Sequence, residues 1–95
     1  RSAVNRVFKY PLEISDRQEL RLPKAAQFLS VAVQRNQLVM YAIVDDTETQ
    51  NEAWVIELRG TGHPLPDRHL MADWIFLGTA LMLDGALVWH VWRGL

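Results

Sequence analysis

Apolar and polar positions alternate with period two through most of this chain, in runs of five to ten residues broken by turn residues, and that is the signature of half-buried strands. Arg6–Leu12 alternates with Phe8, Tyr10 and Leu12 on one side, and Pro11, which has no N–H for a ladder, makes it an edge strand or ends its pairing there. Gln18–Leu22 follows with Leu20 and Leu22 inward until Pro23. Gln27–Gln34 and Leu38–Val44 form a hairpin turned at Arg35-Asn36 or Asn36-Gln37. Either turn brings Leu29, Val31 and Val33 to the face of Leu38, Met40, Ala42 and Val44, and leaves Phe28, Ser30 and Ala32 with Val39, Tyr41 and Ile43 on the other. Ala53–Arg59 directs Trp54, Ile56 and Leu58 inward and Val55, Glu57 and Arg59 outward.

The densest pattern is Trp74–Trp92, two apolar runs around Asp84-Gly85, a strong hairpin signal. A two-residue turn there pairs Leu81 with Val88, Thr79 with His90 and Leu77 with Trp92 on one face. The other face pairs Met82 with Leu87, Ala80 with Trp89 and Gly78 with Val91. The small Ala80 and Gly78 leave room for Trp89 in the core. Leu77, Thr79, His90 and Trp92 are then the layer that a subunit or partner would cover. Between the strands, residues 45–52 read as a mobile acidic loop, Gly60–Asp67 as a tight glycine and proline loop, and Arg68–Asp73 as one helical turn. Together the pattern predicts one all-β domain over residues 1–95: an antiparallel β-sandwich or small, partly open barrel of six to seven strands, with residues 1–5 a flexible tail.

Composition adds surplus apolar surface. A chain of 95 residues buries a modest fraction of its surface, and 49% hydrophobic residues with four Trp leave some for a partner, so a homo-oligomer is expected. The absence of Cys removes disulfides, thiol nucleophiles and thiolate metal sites. Arg1–Arg6 lacks the apolar core of a signal peptide, and Trp74–Leu83 is about half the ~20 residues a spanning helix needs, so neither secretion nor membrane insertion is expected. Net charge is −1 but uneven: residues 1–44 hold seven Lys and Arg against three Asp and Glu, a balance of +4, and residues 45–73 hold two against seven, −5. Such asymmetry either steers a partner or reflects solvated loops.

Candidate chemistry is sparse. Gly60-Thr61-Gly62-His63 lacks the following helix and the Lys of a phosphate loop. His63, Asp67, His69 and Asp73 fall within eleven residues, but their spacing matches no familiar metal site, so neither metal nor cofactor is expected and a small metal-dependent enzyme is the remotest alternative. His90, opposite Thr79, is read as a structural histidine, and no serine has nucleophile-elbow context, so no catalytic residue is assigned. A single-stranded nucleic-acid-binding β domain is the main alternative, because Phe8 and Tyr10 alternate with Arg6 and Lys9 and Arg93 follows Trp92. A pI of about 6.3 and no dense basic stripe oppose it.

Val7-Phe8-Lys9-Tyr10-Pro11-Leu12, Gly60-Thr61-Gly62-His63, Phe76-Leu77-Gly78-Thr79 and Leu87-Val88-Trp89-His90-Val91-Trp92 together resemble a family of small proteins of unknown function encoded mostly by bacteriophages and prophages. The resemblance implies a phage or prophage origin and a bacterial host cytoplasm, and it supplies no activity, cofactor or catalytic residue. The expected function is that of a noncatalytic accessory protein that binds protein, itself or a bacterial host factor, to modulate defence or to serve as a minor assembly component. Its contact residues are expected to be Phe8, Tyr10, Leu77, His90, Trp92 and Arg93.

Overall fold

Period-two alternation becomes seven strands in the computed structural model, which describes residues 4–95. They are β1 (Asn5–Pro11), β2 (Arg17–Pro23), β3 (Gln27–Gln34), β4 (Gln37–Asp45), β5 (Asn51–Gly60), β6 (Ile75–Met82) and β7 (Leu87–Arg93), with one 3₁₀ turn at Arg68–Met71. Two antiparallel sheets, β1-β4-β3 and β2-β5-β7-β6, pack face to face as a sandwich, not a closed barrel. Of the tail expected at residues 1–5, residues 1–3 lie outside those described. Val4 and Asn5 are tied to β4: Asn5 pairs with Asp45, and the Val4 carbonyl accepts from Asp46 N at 2.9 Å.

The core lies between the inner rows of the sheets. Leu12, Leu38 and Met40 from one side meet Leu22, Trp54, Ile56, Leu58 and Val91 from the other, and all of these are buried. Trp89 packs against this cluster beside Ala80, as the hairpin pairing predicts. The β3–β4 turn is Arg35-Asn36, both with positive φ (51° and 61°), as a type I′ hairpin requires.

Two β-bulges correct the sequence reading. Phe28 pairs with Ala42 and Ser30 with Tyr41, so Leu29 is the extra residue. The strand reverses parity there: Phe28 packs on the core and Leu29, expected inward, is exposed. The second bulge falls between Phe76 and Gly78, so Trp92 pairs with Phe76 rather than with Leu77, and Leu77 packs against the core instead of joining the outer layer. The final turn also differs. Four residues, Leu83–Ala86, link the strands in place of two, with positive φ at Leu83 (52°), Asp84 (54°) and Gly85 (87°). Met82 still pairs with Leu87, so the register survives.

Sheet edges are protected in two ways. The β1 and β2 edges carry Arg6, Lys9 and Pro11 and Arg17, Glu19, Arg21 and Pro23, residues that discourage strand addition. Strands β3 and β6 carry no charge at all, and they shelter each other: these are the strands that approach most closely across the sandwich. Gly78 (φ 154°) makes that approach possible, since a Cβ there would come 2.8 Å from Val31 Cγ2.

The acidic segment expected to be a mobile loop is closed by its own carboxylates. Asp45 Oδ1 accepts from Thr47 N (2.9 Å) and from the Thr47 hydroxyl (2.6 Å), and Glu48 Oε1 accepts from Gln50 N (3.0 Å). The charge asymmetry along the chain is partly consumed by pairing, because Arg6 bridges to Asp46 and Arg17 to Glu57.

Gly78→Ala tests the seam. Both the backbone angle and the Val31 contact oppose a methyl group, so urea denaturation should show a loss of roughly 2–3 kcal/mol with an unchanged m-value. A loss near zero would mean that the two sheets do not close on each other there.

Candidate functional site

A cluster of polar and aromatic residues gathers on the outer face of the β2-β5-β7-β6 sheet. Alternation places Glu57 and Arg59 of β5, Val88, His90 and Trp92 of β7, and Phe76, Thr79 and Leu81 of β6 on this side. The connection from Thr61 to Trp74 returns over it, as Trp74 packs on Trp92 with ring centroids 5.9 Å apart. Phe76 meets Trp92 edge to face at 5.5 Å and His90 lies 6.3 Å from it, so the Trp92 indole is the hub of four rings. Arg59 sits 5.9 Å from the Trp74 ring and links this hub to a buried ion cluster.

That cluster is centred on Glu57, which points outward and yet is 2% exposed. Its Oε2 accepts from Arg17 Nη1 at 2.9 Å and its Oε1 from Arg59 Nη2 at 3.3 Å. The arginines are fixed in turn: Arg17 Nη2 donates to the Leu95 carbonyl at 2.9 Å, and Arg59 Nη1 to the carbonyls of Asp16 (2.6 Å) and Leu58 (3.0 Å). Gly94 lies against the carboxylate, where a Cβ would come 3.0 Å from Glu57 Cγ. Of these partners only Arg59, two positions along the same strand, was legible; Arg17 lies 40 residues away.

His90 is bracketed by two hydroxyls. Thr79 Oγ1 lies 2.9 Å from Nδ1, on the pairing expected from the sequence, and Thr61 Oγ1 lies 2.7 Å from Nε2. A neutral imidazole offers one donor and one acceptor, and two hydroxyls satisfy both, which holds the ring upright without a carboxylate. Beside it, Arg59, Thr61, His63, Leu65, His90 and Trp92 line an open cleft of about 310 Å³. His63, Asp67, His69 and Asp73 do not assemble: among the described residues no group of three His, Cys, Asp or Glu could hold a metal ion.

The six expected contact residues do not share one surface. His90 and Trp92 lie on the outer face just described, and Leu77 has moved to the core side. Phe8 and Tyr10 pair with Ala42 and Met40 on the inner side of the other sheet. There Phe8 stays exposed at the edge and Tyr10 packs on the core. Arg93 points away from its neighbour Trp92 and lies 3.9 Å above the ring of the buried Trp54. What the sequence reading missed is Trp74 and Phe76, whose place beside Trp92 depends on the bulge at Leu77 and on the fold of the 61–74 connection. No helix among the described residues is long and apolar enough to cross a membrane.

Two outcomes follow from these environments. Arg59 is nearly buried with Glu57, whereas Arg17 is 60% exposed. Arg59→Ala should therefore cost about 3 kcal/mol and Arg17→Ala under about 1 kcal/mol in chemical denaturation, and equal losses would contradict the buried-pair geometry. Burial pushes the Tyr10 phenol above its ordinary 10.0, so its contribution to stability is complete below that value and is lost as pH rises through the raised one. Tyr10→Phe should flatten the alkaline fall in melting temperature; an unaltered fall would place its cause elsewhere.

No curated protein and no solved structure is similar to the chain at a significant level. Over residues 3–95 it matches a domain of unknown function, DUF7352, and it belongs to that family.

Proposed function

We propose that this domain is a noncatalytic protein-binding module whose contact surface is the outer face of β6 and β7. The observation that carries this reading is an uncharged stripe along the two strands: Phe76, Thr79 and Leu81 on one, Trp92, His90 and Val88 on the other, with Leu83 following in the turn. Phe76, Leu81 and Leu83 each remain more than half exposed, at 54%, 59% and 56%. Apolar side chains around an aromatic hub, with Arg59 and His90 of the adjoining cleft alongside, have the make-up of an interface core with a polar border. Leu83 adds an independent sign. A leucine in the left-handed region costs about 1–2 kcal/mol compared with glycine, so an exposed Leu83 at φ 52° sacrifices stability to present an apolar side chain.

The resemblance of its motifs to phage and prophage proteins supports placing this module in the cytoplasm of a bacterial host, as an accessory protein that contacts a host or virion component. Stacking of single-stranded nucleic acid on the rings is the weaker reading, since the stripe carries no Lys or Arg to meet phosphates.

Phe76→Ser is the cleaner probe of this face, because Trp92 is itself packed between Trp74 and Phe76. In affinity capture from a bacterial lysate, Phe76→Ser should lose the specific partners of the wild-type domain, while Val7→Asp on the outer face of the other sheet keeps them. The opposite pattern would sink the assignment. A salt-dependent gel shift with single-stranded DNA that Phe76→Ser abolishes would favour nucleic acid instead.

A further inference from the structure

A second site lies on the other sheet. We infer that the outer face of β1-β4-β3 binds the phosphate dianion of a small molecule, held between Lys9 of β1 and Arg35 of the β3–β4 turn.

Strand register brings the groups together. Lys9 and Pro11 of β1, Gln37 and Val39 of β4 and Gln34 of β3 share the outward side of the sheet. Lys9 Nζ crosses β4 to donate to Gln34 Oε1 on the far strand at 2.8 Å. A bridge of that span lies along the sheet, so the ammonium is held flat over β4 rather than extended into water. Val39, in the outward row beneath, is 1% exposed although it stands outside the core cluster. Gln37 fixes the adjoining wall, its Nε2 donating to the Leu12 and Leu38 carbonyls at 2.8 and 3.0 Å.

The result is a depression of about 350 Å³ rimmed by donors, with no carboxylate among its lining residues. Lys9 gives one N–H to Gln34 and keeps two, and the Gln34 amide keeps its NH₂. Arg35 keeps its whole guanidinium, since among the described residues no ion pair engages it, not even with Asp84 on the neighbouring groove. Its place is an independent sign. Arg35 occupies the first central position of the type I′ turn at φ 51°, where Asn, Asp or Gly sits with least strain. A cation is set there at a cost to the turn, and it is what completes the rim.

Charge selects the ligand. Two cations without a counter-charge match a dianion, whereas one carboxylate would leave a cation over. A phosphate monoester carries close to two negative charges on three oxygens, two for the planar Arg35 fork and one for the Lys9 ammonium. A nucleic-acid backbone, with one charge per phosphate, needs a track of cations instead. Here the outward row of β4 continues through Tyr41 and Ile43 to Asp45, so the cations stop at this pair.

Amide chemical shifts of the whole 11.0 kDa chain, titrated with inorganic phosphate near pH ~8 and low ionic strength, test the site. The amides of Lys9, Gln34, Arg35 and Gln37 should shift together and saturate, with half-saturation on the order of 1 mM, and acetate should bind about tenfold more weakly. Lys9→Gln and Arg35→Asn should each weaken phosphate about tenfold, and Arg68→Gln, an exposed cation elsewhere, should leave it unchanged. Asn suits the turn better than Arg, so the melting temperature of Arg35→Asn should not fall and its lost binding is not lost structure. A drift that never saturates and that chloride reproduces overturns the site, as does either variant binding like the wild type. Acetate binding as tightly as phosphate, or a single-stranded oligonucleotide without terminal phosphate displacing it, overturns the assignment to a small phosphate ester.

Discussion

The close approach of β3 to β6 at Gly78 is the constraint on which the sandwich depends. Both strands are apolar edge strands without a charged residue, and each would be a template for unwanted pairing if left open. Set against one another they cover each other's edges, and the charged β1 and β2 are left to face water on the far side. The arrangement needs a residue without a side chain opposite Val31, and that is why a glycine interrupts an otherwise bulky strand. With this side closed, the outer face of β6 and β7 is free to carry large apolar groups that serve no core.

Glu57 holds the other half of the same sheet. It ties β2 through Arg17 to β5 and, through its packing against Gly94, to the end of β7. A buried carboxylate is costly to desolvate, and two arginines with further carbonyl partners compensate it in a geometry that admits few alternatives. The aromatic hub is attached to this cluster, because Arg59 reaches both Glu57 and Trp74. Ion cluster and ring cluster are one network, in which Arg59 joins a carboxylate that solvent barely reaches to the Trp74 ring.

Much of the fold was legible because period-two patterning survives wherever pairing is regular. The inward set Trp54, Ile56 and Leu58, the Pro11 edge, the Thr79–His90 pair and the core position of Trp89 all follow from it. Bulges leave no such trace. An extra residue at Leu29 or Leu77 is a leucine among other apolar residues, so its sequence neighbourhood looks like uninterrupted strand while the faces exchange beyond it. Of the candidate site, His90 and Trp92 were found by alternation. Trp74, Phe76, Thr61 and Arg17 were not, since their positions are set by a long connection and by partners tens of residues away.

Sheet order has a consequence for how the chain acquires its structure. Strand β7 lies between β5 and β6, so β5 has no neighbour on that side until all the intervening residues have been placed. The β3–β4 hairpin closes over a two-residue turn and is available early, whereas the β5–β7 pairing spans about thirty residues and bears the entropy of closing that loop. The backbone edge of β5 on that side therefore stays unpaired longest during synthesis. This slow insertion is the stage at which a nascent chain is most open to aggregation or to capture by a chaperone.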